Sequence, residues 1–242
     1  HIGRLLAIDP LMTADIGGTS FDTSLIEDGQ PSTTGTTELE FGMPISTPML
    51  DIRSVGAGGG SLAWIDSAGI MKVGPESAGA IPSPACYGRG GTIATSTDAN
   101  IVLGRLDPDF QLGGDVQLDP HAARNAVQQL GAELGLGIEQ TAVGILEIMN
   151  NNMAETMRLL TIDRGLDPRE FSLVAFGGAG PLHGAYLAEA LGMNQVVIPP
   201  SPGAFSALGA LMADTRFDYV KTRISYSQHL DFDTINADFA EL

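Results

Sequence analysis

Apolar and polar positions divide the chain into a strand-rich first part and a helix-rich second part. Apolar Leu11, Met12 and Ala14 lead into Gly17-Gly18, and the alternating stretch Phe21-Asp22-Thr23-Ser24-Leu25-Ile26 follows. This pattern predicts a strand, a tight glycine turn and a returning strand. Further strand signals fall at 34–41, 48–55, 61–65 and 70–73, the last two joined by Asp66-Ser67-Ala68-Gly69. The Gly- and Pro-rich segment 74–91 comes next, and its length as a structureless connection points to a functional excursion. Then the helical period takes over. Asp119-Pro120 has the form of an N-cap before a first-turn proline, opening a helix to about Leu134. A longer helix is predicted from Glu139 to about Arg164, where Ala142, Leu146, Met149, Met153, Met157 and Leu160 trace one apolar stripe. Gly165 ends it, with Pro168 just beyond. A methionine stripe can line a ligand cleft, but core packing is the simpler expectation. Strand 171–176, helix 181–191, strand 195–198 and helix 205–212 follow.

Three leading antiparallel strands, then helix, strand, helix, strand and helix, is the order of a ribonuclease-H-like, actin-type lobe. The expected fold is α/β, a mixed sheet with flanking helices, forming one lobe over 1–242 with an insertion at about 74–135. Ligands of open α/β sheets collect at the carboxyl ends of strands, and both glycine segments of the chain fall there. In the first, Asp15-Ile16-Gly17-Gly18-Thr19-Ser20-Phe21-Asp22, glycines lacking Cβ let a phosphate approach the main chain through positive φ, and Thr19 and Ser20 add hydroxyl donors. Asp15 and Asp22 are placed to orient a hydrated Mg²⁺ that shares phosphate oxygens. The alternative is a plain hairpin with solvated aspartates. In the second, strand residues to Phe176 run into Gly177-Gly178-Ala179-Gly180, and Pro181 suits the first turn of a helix. Glycines before a helix N-terminus make a cradle for ribose, adenine or phosphate. Neither G-x-G-x-x-G at this turn nor G-x-x-x-x-G-K-[ST] anywhere occurs, which disfavours Rossmann and P-loop readings.

Charge and cysteine content narrow the partners. Asp plus Glu number 29 against 12 Lys plus Arg, a formal charge of −17 that opposes nonspecific binding to nucleic acid or anionic membranes. The 242 residues, 43% hydrophobic and 17% charged, read as globular. Cys86 is the single cysteine, so no intrachain disulfide forms and a reducing, cytoplasmic setting is expected. No apolar stretch is long enough to span a bilayer. His1, His121 and His229 form no metal-spaced cluster.

Four further runs carry a family resemblance. They are Ser54-Val55-Gly56-Ala57-Gly58-Gly59-Gly60-Ser61-Leu62-Ala63-Trp64, Val73-Gly74-Pro75-Glu76-Ser77-Ala78-Gly79-Ala80, Pro84-Ala85-Cys86-Tyr87-Gly88-Arg89-Gly90-Gly91, and Thr97-Asp98-Ala99-Asn100-Ile101-Val102-Leu103-Gly104-Arg105-Leu106. Together with 15–29, similar to the second phosphate hairpin of actin-like ATPases, and 176–180, similar to their adenosine motif, they resemble the hydantoinase A/5-oxoprolinase family over about residues 11–220. The resemblance implies ATP and Mg²⁺ as cofactors and a small cyclic amide as substrate, whose carbonyl oxygen is phosphorylated so that the ring opens. A subunit of an acetone- or acetophenone-type carboxylase is the alternative, and a noncatalytic actin-like nucleotide module is another. The resemblance further implies partners: an amino-terminal lobe of the same polypeptide, carrying the earlier phosphate hairpin and not seen here, a second hydantoinase B-type subunit, and an oligomer. This chain is therefore expected to be one lobe, weak in ATP binding and hydrolysis alone.

Site expectations follow residue by residue. Gly17, Gly18, Thr19, Ser20, Gly58, Gly59, Gly60, Gly177, Gly178 and Ala179 are expected against nucleotide, and Asp15 and Asp22 against Mg²⁺. Asp15 and His183 are the catalytic candidates. The plain alternative for Gly58 to Gly60 is a bulge permitting close packing, and for His183 a buried hydrogen-bonded imidazole. Cys86 is expected to be a structural thiol, Arg89 a loop-bracing cation, and Asp98 and Asn100 helix-opening residues.

Overall fold

The computed structural model describes residues 1–35, 37–39, 43–45, 48–109, 117–215, 217, 219–226 and 230–242. Part of the strand expected at 34–41, part of the insertion and His229 lie outside these residues. A short helix, α1 (Ile2–Leu6), precedes β1 (Leu11–Ile16), β2 (Phe21–Thr23), β3 (Leu25–Glu27) and β4 (Gln30–Pro31). Next come β5 (Thr33–Thr34), β6 (Thr37–Leu39), β7 (Met43–Ile45), β8 (Met49–Leu50), β9 (Arg53–Val55), β10 (Ser61–Ile65) and β11 (Met71–Ser77). The helical part holds α2 (Ser96–Val102), α3 (Pro120–Leu134), α4 (Ile138–Ile162), β12 (Ser172–Phe176), α5 (Gly180–Leu191), β13 (Val196–Val197), α6 (Phe205–Met212) and α7 (Phe232–Glu241).

The principal sheet runs β13-β12-β1-β2-β9. β2 and β3 are one returning strand, both antiparallel to β1, interrupted at Ser24. The interruption is side-chain chemistry: the Ser24 N–H donates to Thr13 Oγ1 at 2.9 Å, while the Thr13 N–H donates to the Ser24 carbonyl. On the other side of β1 the pairing is parallel, Leu11 opposite Ser172 through Asp15 opposite Phe176, and β12 pairs parallel with β13. Three antiparallel strands and two parallel ones around a central β1 is the sheet expected of a ribonuclease-H-like lobe. β12 carries buried Leu173, Val174 and Ala175 in unbroken succession, the pattern of a strand covered on both faces.

The methionine stripe is core. Met149, Met153 and Met157 on α4 are fully buried, with Ala142, Leu146 and Leu160 on the same stripe and Leu173 of β12 in the same cluster. Asp119 caps α3 through Oδ1, accepting from the His121 and Ala122 N–H groups. Gly135 ends that helix with φ +68, and Gly165, at φ +69, follows α4. One boundary shifts: β11 continues to Ser77, so the excursion expected from 74 starts later. Gly74, with φ +70, breaks the register with β10 without ending the strand, and its carbonyl accepts the Trp64 indole N–H at 2.9 Å.

The single lobe expected over 1–242 is compact through Leu208, and Gly209–Leu242 forms a second unit. Within that unit Arg223 and Lys221 both pair with Asp238 of α7. Among the described residues, no helix is long and apolar enough to cross a membrane.

Candidate functional site

Parallel pairing of β1 with β12 sets the two glycine turns side by side. Gly177 has φ +83, and a Cβ there would lie 2.4 Å from both Asp15 Oδ1 and the Ile16 carbonyl oxygen. The Ala179 N–H donates to the Ile16 carbonyl at 2.9 Å, and the Gly177 N–H to the Pro202 carbonyl. The second turn is thus seated directly on the end of β1. Close approach recurs beneath it, where a Cβ on Gly184 of α5 would come within 2.8 Å of the Ala175 Cβ.

The first turn is held from behind by the glycine run after β9. Gly59 donates its N–H to the Gly17 carbonyl at 2.9 Å, and Gly60 to the Gly18 carbonyl at 2.7 Å. A Cβ on Gly58 would fall 2.7 Å from the Gly18 carbonyl carbon and the Thr19 nitrogen. Because a trans peptide unit is planar, its N–H points opposite to its C=O. Tying back the Gly17 carbonyl aims the Gly18 N–H outward, and tying back the Gly18 carbonyl does the same for the Thr19 N–H. Gly18 and Thr19 are both exposed, and among the described residues neither N–H has a partner. The Gly17 N–H closes the turn on the Ser20 carbonyl at 3.0 Å.

This geometry revises two expectations. Neither Gly17 nor Gly18 has positive φ; a Cβ on Gly18 would meet nothing within 4 Å, so the missing side chain leaves open space on the outer side. Gly58, Gly59 and Gly60 do not present free N–H groups, since Gly58 donates to Ser61 Oγ at 2.8 Å and the other two to the turn. They brace the turn from behind. Gly178 is exposed, with open space where a Cβ would go, whereas the Ala179 N–H is already occupied.

Asp15 and Asp22 lie directly opposite each other across the hairpin, which puts both side chains on one face of the sheet. Asp15 Oδ2 accepts the Ser206 hydroxyl of α6 at 2.8 Å. Asp22 accepts the Ser54 hydroxyl on Oδ1 and the Ser20 hydroxyl on Oδ2, the latter at 3.3 Å. Beside this pair, the Phe176 and Phe205 rings meet edge to face with centroids 5.1 Å apart. Two carboxylates do not fill a metal's coordination shell, and among the described residues no group of three acidic, His or Cys side chains is positioned to hold a metal. Any cation here would take its remaining ligands from water or a bound anion.

His183 stands one turn into α5, buried, with Nδ1 2.7 Å from Asn150 Oδ1 of α4 and no partner for Nε2. Burial, and secondarily the Arg105 charge, pushes its pKa down to about 4. It links α5, behind the second turn, to α4 through Asn150. Cys86 is fully buried, its thiol pKa raised first by desolvation and then by Asp98, as a structural thiol requires. Asp98 opens α2 in a capping box with Thr95, and the buried Asn100 donates to the Ser96 carbonyl.

Ser206, Ser54 and Asn150 touch site residues and were not anticipated. Ser54 belongs to the glycine run and so had a signal. Ser206 and Asn150 lie on helices whose sequence carries none.

The sheet order and the two joined turns define a ribonuclease-H-like, actin-type lobe whose first glycine hairpin is formed by β1 and β2. Comparison with known proteins narrows this. The family model for Hydantoinase/oxoprolinase matches residues 1–219. The alpha subunit of caprolactamase from Pseudomonas jessenii is 40% identical over 222 residues, 91% of this chain and 32% of the relative. The crystal structure of the ATP-dependent caprolactamase from that organism superposes with TM-score 0.81 at 36% identity, over 99% of this chain and 35% of its own. Arabidopsis thaliana 5-oxoprolinase 1 is 37% identical over 85% of this chain and 17% of its own length. A nucleotide-free structure of an acetone carboxylase superposes with TM-score 0.80 at 34% identity, over 88% of this chain and 30% of that one. The chain belongs to the hydantoinase/oxoprolinase family. It spans about a third of the length of the caprolactamase and carboxylase relatives.

Proposed function

We propose that this chain is the ATP-binding lobe of an ATP-dependent cyclic amide hydrolase. One observation carries the reading: Gly18 and Thr19 are exposed and, among the described residues, their N–H groups have no partner, on the hairpin that also bears Asp15 and Asp22. Backbone N–H pairs of this kind bind phosphate oxygens, and hydroxyls such as those of Thr19 and Ser20 add donors. Gly178 extends the cradle toward the ribose or adenine side. The donor set fits ATP with Mg²⁺. Asp15 and Asp22 would hold the ion through water, and it would neutralise charge on the phosphates. What this chain contributes is positioning: backbone N–H donors, oriented carboxylates and a turn braced by Gly59 and Gly60. Phosphoryl transfer depends chiefly on such positioning and charge stabilisation. An unstrained amide is a poor electrophile, and phosphorylating its carbonyl oxygen provides both activation and a leaving group.

Substrate and partner assignments rest on the relatives. Names of the caprolactamase and 5-oxoprolinase relatives favour a lactam, whereas the equally good superposition on acetone carboxylase favours a ketone carboxylase as second reading. A partner lobe or subunit is supported by α6, which buries none of its residues and leaves Leu208, Leu211 and Met212 exposed. The complete polypeptide with its partner subunits should turn over ATP faster when 5-oxoproline, caprolactam or a hydantoin is added. Turnover that ignores cyclic amides and responds to ketone plus bicarbonate replaces this reading with the carboxylase. ATP turnover indifferent to both replaces it with an actin-like module.

A further inference from the structure

A second row of polar contacts lies behind the glycine brace. Ser96 Oγ is 2.6 Å from the Gly58 carbonyl and 2.8 Å from that of Gly59. Thr97 donates both its hydroxyl, at 2.6 Å, and its N–H, at 2.9 Å, to the Gly59 carbonyl. Both residues are buried, so these bonds form away from competing water. The row continues inward: Asp98, with no exposed surface, accepts the N–H groups of Ala85, Cys86 and Thr95 and the Thr95 hydroxyl. Each peptide unit in the row is rigid, so a donor on one side fixes the direction of the next. Thr97 fixes the Gly59–Gly60 unit, whose N–H fixes the Gly18 carbonyl, which in turn aims the Thr19 N–H outward.

We infer that Ser96 and Thr97 are positioning residues for the phosphate turn, and that Asp98 ties their hold on Gly58-Gly59-Gly60 to the loop bearing Ala85 and Cys86. The inference rests on the nucleotide reading above. It explains why the first turn of α2 is a buried Ser-Thr-Asp run, an expensive composition for a core unless each group has a partner. It also gives the segment 84–98 a route to the turn: displacing the Ala85–Cys86 backbone moves Asp98, α2 and the brace together.

The test uses the complete polypeptide, with equilibrium binding of Mg·ATP and of adenosine, which lacks phosphates. Thr97→Val keeps shape and removes the hydroxyl; ATP should bind about ten-fold more weakly, as expected for one misdirected hydrogen bond to a charged ligand, with adenosine unchanged. Thr97→Ser should restore ATP binding to within about two-fold of wild type. Should Thr97→Val fail to fold, Ser96→Ala carries the same expectation. Equal weakening of ATP and adenosine, or no change in either, overturns the positioning role. Gly18→Val separates the two levels. If it binds ATP like wild type, the nucleotide reading has failed; if it loses ATP while Thr97→Val and Ser96→Ala do not, only the second row has.

Discussion

Adding one methyl on either side of the Gly17–Thr19 turn should have different consequences. In Gly58→Ala the new Cβ would stand 2.7 Å from the Gly18 carbonyl carbon and the Thr19 nitrogen, and 2.8 Å from the Gly17 oxygen. Carbon contacts are comfortable at about 3.5–4.0 Å, so the brace and the turn must separate by roughly 0.8 Å. All three neighbours are backbone and cannot rotate away. Overpacking of this kind costs about 3 kcal/mol, a destabilisation concentrated on the Gly59–Gly17 and Gly60–Gly18 bonds. Gly18→Ala puts its Cβ into open space at a residue without positive φ, so hairpin stability should stay within about 0.5 kcal/mol or rise slightly through a less flexible unfolded chain. The same methyl obstructs the surface proposed for phosphate and weakens a charge-assisted bond worth about 1.5–3 kcal/mol, or about 10- to 100-fold in Kd. Hydrogen exchange on peptides covering 11–23 in the complete polypeptide reports hairpin opening, and calorimetry reports Mg·ATP affinity. Gly58→Ala should speed hairpin exchange by about two decades and weaken ATP; Gly18→Ala should weaken ATP alone. Gly18→Ala with wild-type ATP affinity refutes the assignment of the open side to phosphate. Equal exchange in the two variants refutes the account of the brace.

Three other outcomes follow from buried groups. His183 falls from an ordinary 6.5 to about 4 on folding, so the unfolded chain binds its proton first. Its neutral burial costs nothing above pH 6.5, and stability then falls with pH until the folded imidazole titrates near 4, about 3 kcal/mol in all at 1.36 kcal/mol per pH unit. Urea unfolding of wild type and His183→Gln between pH 4 and 8 should show this slope in their difference, and a flat difference would show that the imidazole is not held neutral. Met153, fully buried on the α4 stripe, should cost about 2–5 kcal/mol when replaced by Ala; a loss under about 1 kcal/mol, read from denaturant midpoints, would return the stripe to the cleft reading. Cys86, whose thiol is kept protonated by burial beside Asp98, should resist iodoacetamide at pH 8 in the native protein and react once unfolded. Rapid labelling of the native state would contradict the packing of the 85–87 turn.

What the sequence makes legible is what local patterns decide. The apolar period of α4, the Asp119-Pro120 start and the order of strands were readable because each depends on residues within a turn or two of one another. Even the meeting of the two turns follows from that order, since a β1 flanked by β12 puts Asp15 opposite Phe176. The division of labour among the glycines was not readable. A glycine in a sequence states only that a Cβ is absent, and three different causes leave the same letter. At Gly177 the cause is a left-handed φ pressed against Asp15; at Gly58 it is backbone of the turn about forty residues earlier; at Gly18 no intrachain atom lies within 4 Å of where a Cβ would stand. Each was anticipated as a type, but the left-handed φ was assigned to the wrong turn and the close packing at Gly58 stood only as the alternative. Ser206 hydrogen-bonds a carboxylate 191 positions away, and Asn150 meets His183 across a helix pair at a separation of 33. No spacing rule links such residues. Open space is not by itself a site: Gly35, Gly203 and Gly209 likewise meet nothing within 4 Å and have no positive φ, so what sets Gly18 apart is its exposed position on the hairpin that bears Asp15 and Asp22, and the Gly18→Ala comparison bears on that position directly.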